Sequence, residues 1–419
     1  MLIINFKTLF LSDKIRNFEP VKLMLMLTEK NKFIATVLAF AVIPMSGLAT
    51  DIYLPSMPSM ARDLDLPESS IQLTLSLFLI SYGVTQFFAG SIVDSFGRYR
   101  ITLISLAFFV ISFLITANTG NIYVIYAMRV LQGVLSGFAV VAKRAFFVDV
   151  YEGDERKHYL SIMTIVWSVG PIIAPFIGGY LQKIFGWESN FYVLAGYSFI
   201  LLIFEYIFSG ETLKIKKVLS LDLLKKEYNM MFRAKDFFYG MLMCGLSYSI
   251  IMFFNLCGSF IIEHKMGYSE VVAGYVSLIL GFAWMLGGFI GKALINRAFL
   301  PKIRFANFLQ IVLIGLMIFA SFFLNTIYSL VAFAFVIHVT AGFIFNNYFS
   351  YCIGRFPNSA GIAGGLTGGM AFIITSAVSY GIVAVLKPEM QLQVAEGYLI
   401  MGILGLLVLT LIKFRKAHV

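Results

Sequence analysis

Long runs of apolar residues, interrupted at Gly, Pro or Asn, recur from Phe33 nearly to the end of the chain. As a helix, about 20 such residues rise about 30 Å, the depth of a bilayer's hydrocarbon core. The pattern therefore predicts an all-α integral membrane protein with twelve spans. Their cores fall at residues 33–51, 71–93, 101–117, 122–142, 159–181, 191–208, 237–262, 271–294, 305–324, 327–351, 361–386 and 397–412. Gly and Pro inside these runs are compatible with helix, because neighbouring helices satisfy the freed backbone groups. The polar stretch Ser209 to Asp236 divides the spans six and six. The predicted organisation is a basic leader 1–32, a six-helix bundle 33–208, a linker 209–236, a second six-helix bundle 237–412 and a tail 413–419.

Composition excludes a soluble globular protein: 59% of the 419 residues are hydrophobic and 13% charged, against about 25% charged in ordinary soluble domains. The formal charge of +10 resolves by side of the membrane. With both termini in the cytoplasm, outer connections hold only Arg62, Lys183, Lys265 and Lys387, Arg129 lies inside a span, and the other 27 of the 32 Lys and Arg fall on the inner side. This is the positive-inside bias that sets topology. The basic balance is thus an orientation signal, and nucleic-acid binding is not expected. The linker carries Lys214, Lys216, Lys217, Lys225, Lys226, Arg233 and Lys235, a strip suited to the anionic inner leaflet.

Cys244, Cys257 and Cys352 lie in or beside apolar runs without metal-ligand spacing, so neither a disulfide framework nor a metal site is expected. The leader lacks a short apolar core ending in a cleavage site, which argues against a removable signal peptide. Met24 and Met26 offer later starts, and the leader is assigned no role.

Between spans two and three stands Gly90-Ser-Ile-Val-Asp94-Ser-Phe-Gly97-Arg98-Tyr-Arg100. Gly97 suits a tight turn, and Asp94 can pair with a base or a helix N-terminus. The run resembles the loop signature of the major facilitator superfamily, with departures at Ser95 and Tyr99 where basic residues are usual. The resemblance implies a twelve-span fold of two bundles and a cytoplasmic latch in which Asp94 meets the start of span eleven near Gly361.

Span four contains Arg129-Val-Leu-Gln132-Gly133, similar to the same family's second signature. A charge at that depth costs at least about 2.5 kcal/mol and needs a partner or a wet cavity. Counting residues along straight helices puts Asp51 and Arg129 at similar depths, and a direct or water-bridged pair is expected if spans one and four are neighbours. Asp51 opens Asp51-Ile-Tyr53-Leu-Pro55-Ser-Met-Pro58, where the prolines end or bend the helix. This stretch resembles the first-span signature of Bcr/CflA-type drug exporters, whose membrane-embedded acid is the expected proton carrier. The competing reading is a water-exposed aspartate at the outer end of the span.

Span five carries Gly170-Pro171-Ile-Ile-Ala174-Pro175-Phe-Ile-Gly178-Gly179, similar to the exporter helix signature, with Ala174 in place of a glycine. Lys143, Arg144 and Asp149 at the inner end of span four also resemble the Bcr/CflA branch, and Arg144 with Asp149 is expected to form a cytoplasmic clamp. Glu205 is read as a snorkelling or gate residue. In the second half His338 is the deep titratable candidate, and a neutral, hydrogen-bonded imidazole is the expected state. Tyr53, Gln132, Tyr248, Asn255, His338 and Asn346 are candidate cavity residues, against a default of helix packing.

The resemblance implies proton-coupled export of small amphipathic compounds across a bacterial inner membrane by a multi-pass protein, a monomer that needs no cofactor beyond the proton gradient and membrane lipid. Export of one native metabolite, such as a siderophore or amino-acid derivative, is the alternative. An integral-membrane enzyme would require clustered His or paired surface carboxylates, whereas the four His are scattered at 158, 264, 338 and 418.

Overall fold

The computed structural model describes residues 26–214 and 221–411. The leader through residue 25, linker residues 215–220 and the tail from residue 412 lie outside the described residues. Among the described residues, twelve helices are long and apolar enough to cross a membrane: Glu29–Asp63, Glu68–Phe96, Arg98–Ala117, Ile122–Val150, Gly153–Phe185, Glu188–Phe208, Lys235–Lys265, Glu270–Ala293, Phe299–Ser321, Ile327–Arg355, Ala360–Leu386 and Gln391–Leu411. They are spans one to twelve, and each expected core falls within or overlaps its counterpart.

The main packing partnerships of the first half return six spans later. Span two lies on four, three on six and one on five, and likewise eight on ten, nine on twelve and seven on eleven. The two bundles join through span two on eleven and span five on eight, which are themselves exchanged by the same shift of six. A pseudo-twofold pair of bundles is the arrangement that a duplicated transporter requires.

Apolar side chains face both ways in such a chain, so small residues decide which faces approach. Gly83 on span two meets the Gly369 carbonyl on span eleven, and Gly178 on span five meets the Ile52 carbonyl on span one. A Cβ at Gly178 would run into that oxygen. Gly97 joins spans two and three at φ 103°, a left-handed conformation that glycine adopts without strain.

Span one is longer than its expected core and is built in pieces. Helix Lys32–Val42 breaks before Pro44, helix Met45–Asp51 follows, and a 3-10 turn Leu54–Ser56 leads into helix Met57–Asp63. Pro44 and Pro55 lack the N–H groups that would bond the carbonyls of Phe40 and Asp51, so the helix cannot run straight through. Tyr197 on span six donates to the Ala41 carbonyl at the first break, 2.6 Å.

The linker contains one described helix, Leu221–Arg233. Leu224 and Met231 on it are buried, while Lys225 and Lys226 are exposed. The end of the molecule that carries the linker is called the linker face here, and the opposite end the far face.

Candidate transport site

Arg129 is fully buried, and four neutral acceptors hold its guanidinium. Nη1 donates to the Ala49 carbonyl and to Gln132 Oε1, each at 2.9 Å. Nη2 reaches the Tyr53 hydroxyl at 3.3 Å and Nε the Thr74 carbonyl at 3.4 Å. The rings of Tyr53 and Phe78 stand 4.6 and 4.7 Å from the guanidinium carbon, in cation–π geometry. Tyr53 in turn meets Thr74 Oγ1 at 2.9 Å, and Gln132 donates to Thr116 at 3.2 Å. The network ties spans one to four together, and its Ala49 acceptor lies where span one breaks.

Asp51 is 2% exposed, which removes the reading as a water-exposed end residue. Because span one continues through its proline turns to Asp63, Asp51 lies within the span rather than at its outer end. Its Oδ1 is buried without a hydrogen-bond partner among the described residues. The expected direct pair with Arg129 is not formed: no ion pair within 4.0 Å joins them, although Arg129 stays within electrostatic reach. The physical reason is competition, since the helix break supplies a carbonyl and neighbouring side chains supply the remaining acceptors that the guanidinium needs.

The loop motif is built around Arg98. Its Nη1 pairs with Asp94 at 2.9 Å and its Nε with Asp149 at 2.9 Å. The Arg98 backbone N–H donates to Glu211 Oε1 at 3.0 Å, and the same oxygen accepts from the N–H groups of Thr212 and Leu213. Thr212 Oγ1 completes the group on Asp149 at 3.1 Å. Beyond their own stretch of helix, Gly90 and Gly361 face open space among the described residues.

The Arg144 and Asp149 clamp is corrected by this geometry. Asp149 is held by Arg98 and Thr212, whereas Arg144 Nε is buried without a partner. Five residues apart, the two point about 140° from each other around the helix. Glu205 is likewise no snorkelling residue: it is 0% exposed and pairs with Lys143 at 2.6 Å, joining spans four and six. Glu211 was missed in the sequence; an acid just after span six, at the start of a linker that is basic on balance, was the available signal.

The span-five motif packs on both bundles. Gly170 faces Pro44 and Gly178 faces Ile52 on span one, while Gly179 faces Glu270 and the Pro175 carbonyl faces Gly274 on span eight. Pro171 lies against Gly47, Ala174 is fully buried, and the helix stays continuous through both prolines.

The candidate cavity residues separate into three sets. Tyr53 and Gln132 belong to the Arg129 network. His338 is fully buried in the second bundle, with Nε2 3.0 Å from the Tyr398 hydroxyl. Asn255 and Asn346 are half-buried and turn their amides to their own helices, toward Met252 and Gly342. Tyr248 stands at the seam: its ring lies 5.6 Å from Phe372, 5.5 Å from Trp284 and 5.8 Å from Phe345. Phe372 reaches Tyr82 of the first bundle at 4.7 Å. This aromatic group draws on spans two, seven, eight, ten and eleven, and ring content alone gave no signal for it in so aromatic a chain.

The seam is closed toward the far face. Gln72 donates to the Leu256 carbonyl at 2.9 Å, Ser376 to the Ser76 carbonyl at 3.0 Å, and the hydroxyls of Tyr180 and Tyr275 meet at 3.0 Å. His264 faces Glu68 at 3.0 Å. Toward the linker face the closest neighbours of Gly287, Gly288 and Gly291 on span eight all belong to span ten, and the described side chains from 161 to 169 on span five are exposed or half-buried. There the linker helix meets both bundles, through Tyr228 to the Phe87 carbonyl and through Glu227 to Ser359 at 3.0 Å. Burial pushes the Tyr228 hydroxyl up to about 12, so it remains a donor at neutral pH.

Residues 39–380 match the family model of the Major Facilitator Superfamily. The chain belongs to that superfamily. Members of the Major Facilitator Superfamily are transporters of small molecules, and the twelve spans with bacterial relatives make this a multi-pass bacterial inner-membrane protein. It is 27% identical to multidrug resistance protein D of Escherichia coli, over 88% of this chain and 92% of that one. It is 26% identical to a bicyclomycin resistance protein homolog of Haemophilus influenzae, over 85% and 90%. Among solved structures, a point mutant of the nucleoside transporter NupG superposes with TM-score 0.70 at 15% identity, covering 91% of this chain and 98% of that one. A D-xylose-proton symporter gives 0.70 at 16% identity, covering 90% and 97%. These structures share the Major Facilitator Superfamily fold.

Proposed function

We propose that this protein exports small amphipathic molecules in exchange for protons, by rocking two six-helix bundles about a central cleft. The observation that carries the reading is Asp51, a carboxyl buried in the broken first span with one oxygen unpaired. An unpaired carboxylate inside a membrane protein is costly, and a bound proton or a substrate that supplies donors relieves the cost. Those two occupants then compete for one site, which is the logic of antiport. Relatives named for multidrug and bicyclomycin resistance support the outward direction.

The Lys and Arg distribution supports a cytoplasmic linker face. With that orientation the far-face contacts close the outer gate, and the chain is caught facing inward. Proton entry supplies about 2.3 kcal/mol per charge for each 100 mV of potential. A monomer driven by the gradient, without cofactor and without catalytic chemistry, suffices for this cycle. Purified protein in liposomes is expected to release protons when ethidium or chloramphenicol is added on the linker side; no proton movement with either probe, nor with other amphipathic compounds, counts against the proposal.

A further inference from the structure

The cations along span four differ in how fully they are satisfied. Arg129 is held by four acceptors, and Lys143 is paired with Glu205. Arg144, the third, has neither a hydrogen bond nor an ion pair among the described residues, and its Nε is buried. A guanidinium presents five donors and stays charged, so a buried and unpaired edge is costly unless something completes it.

The position of Arg144 indicates what that partner is. Seven residues, about two turns, separate it from Gly137, which packs on Thr85 of span two, so Arg144 lies on the same side of the helix. It is within electrostatic reach of the Tyr82 hydroxyl, which also faces Ser46 and Gln86. The Tyr82 ring, in turn, packs edge-on against Phe372 of the second bundle. The cation therefore stands near the Tyr82 hydroxyl, and the Tyr82 ring carries that position to the seam where Phe372, Tyr248, Trp284 and Phe345 gather. A second buried donor without an acceptor, Trp167 Nε1, packs in the cluster that contains Phe146 and Phe147 of span four.

We propose that Arg144 receives the carboxylate of an aromatic amphiphile whose rings lie against Tyr82, Phe372, Tyr248 and Trp284. Planar forked donors match a carboxylate in two-point geometry, and the aromatic faces supply contact area for a ring system. The assignment rests on the efflux reading for its direction of transport. An anion leaving as a proton enters moves two elementary charges down the membrane potential instead of one, so a carboxylate is a favourable cargo for this cycle.

The test is equilibrium binding of tritiated 2-naphthoate and the isosteric 2-naphthamide to the full chain in phosphatidylcholine nanodiscs, without a proton gradient. The wild-type protein is expected to bind the carboxylate about tenfold more tightly than the amide, about 1.4 kcal/mol. Arg144→Gln removes that preference and keeps the amide affinity, while Arg144→Lys keeps part of the preference. Equal binding of both ligands by wild type, or an unchanged preference in Arg144→Gln, overturns the assignment. Loss of both ligands in Arg144→Gln and in Arg144→Lys also overturns it, since Arg144 would then shape the cleft rather than hold the anion. Because binding is read without transport, a failure of the efflux reading shows separately, as absent proton movement.

Discussion

Arg129 Nη1 lies 2.9 Å from the backbone carbonyl of Ala49, two residues before Asp51 on the same broken helix. The intramembrane cation is therefore anchored by backbone and by neutral side chains, and the adjacent acid keeps an oxygen unpaired. Structure and chemistry are divided between them: Arg129 fixes the shape of span one, and Asp51 remains available.

Arg129→Lys should fail to replace the arginine, because an ammonium cannot reach Ala49, Gln132, Tyr53 and Thr74 together. The expected loss is about 3 kcal/mol of stability, with transport lowered more than tenfold. Thermal unfolding followed by size-exclusion fluorescence checks the first, and vesicle efflux the second.

Lys143 and Glu205 form a buried pair of 3% and 0% exposure. Lys143→Met alone should destabilise by about 3 to 5 kcal/mol, because it strands a buried carboxylate. Adding Glu205→Leu should recover most of that loss. A double-mutant cycle on unfolding midpoints decides whether the two act as a unit.

The far-face seam predicts a reversible lock. Ser376 donates to the Ser76 carbonyl across the bundles at 3.0 Å. In a background without Cys244, Cys257 and Cys352, the pair Ser76→Cys and Ser376→Cys is expected to cross-link on oxidation and stop efflux. Reduction should restore it. Undiminished efflux by the cross-linked protein would show that this seam need not open.

Gly178→Ala places a methyl group against the Ile52 carbonyl, so spans one and five must part. Transport is expected to fall at least tenfold. Gly315→Ala on span nine meets open space and should leave efflux within about twofold of wild type while gaining slightly in helix propensity.

The twelve spans were legible because apolar runs of membrane length leave little alternative, and the charge asymmetry between loops is large. The loop motif was legible as a unit, since Gly97 and Arg98 carry the turn and its ion pairs. What the sequence concealed was partner choice. Depth along straight helices put Asp51 beside Arg129, but Pro44 and Pro55 break the helix and expose carbonyls that a residue pattern does not display. Arg144 and Asp149 look paired because they are close in sequence, yet helical geometry turns them apart. Tyr82, Phe345 and Phe372 carried no distinguishing signal, because their value lies in meeting across spans.

The central claim is that Asp51 carries the coupling proton, and its most direct test is gradient-driven transport in liposomes. Asp51→Asn mimics the protonated carboxyl, the state from which substrate is excluded, so it is expected to lose both substrate-dependent proton release and accumulation driven by an imposed pH gradient, with substrate counterflow weakened as well. Gradient-driven accumulation at the wild-type rate by Asp51→Asn would contradict the account.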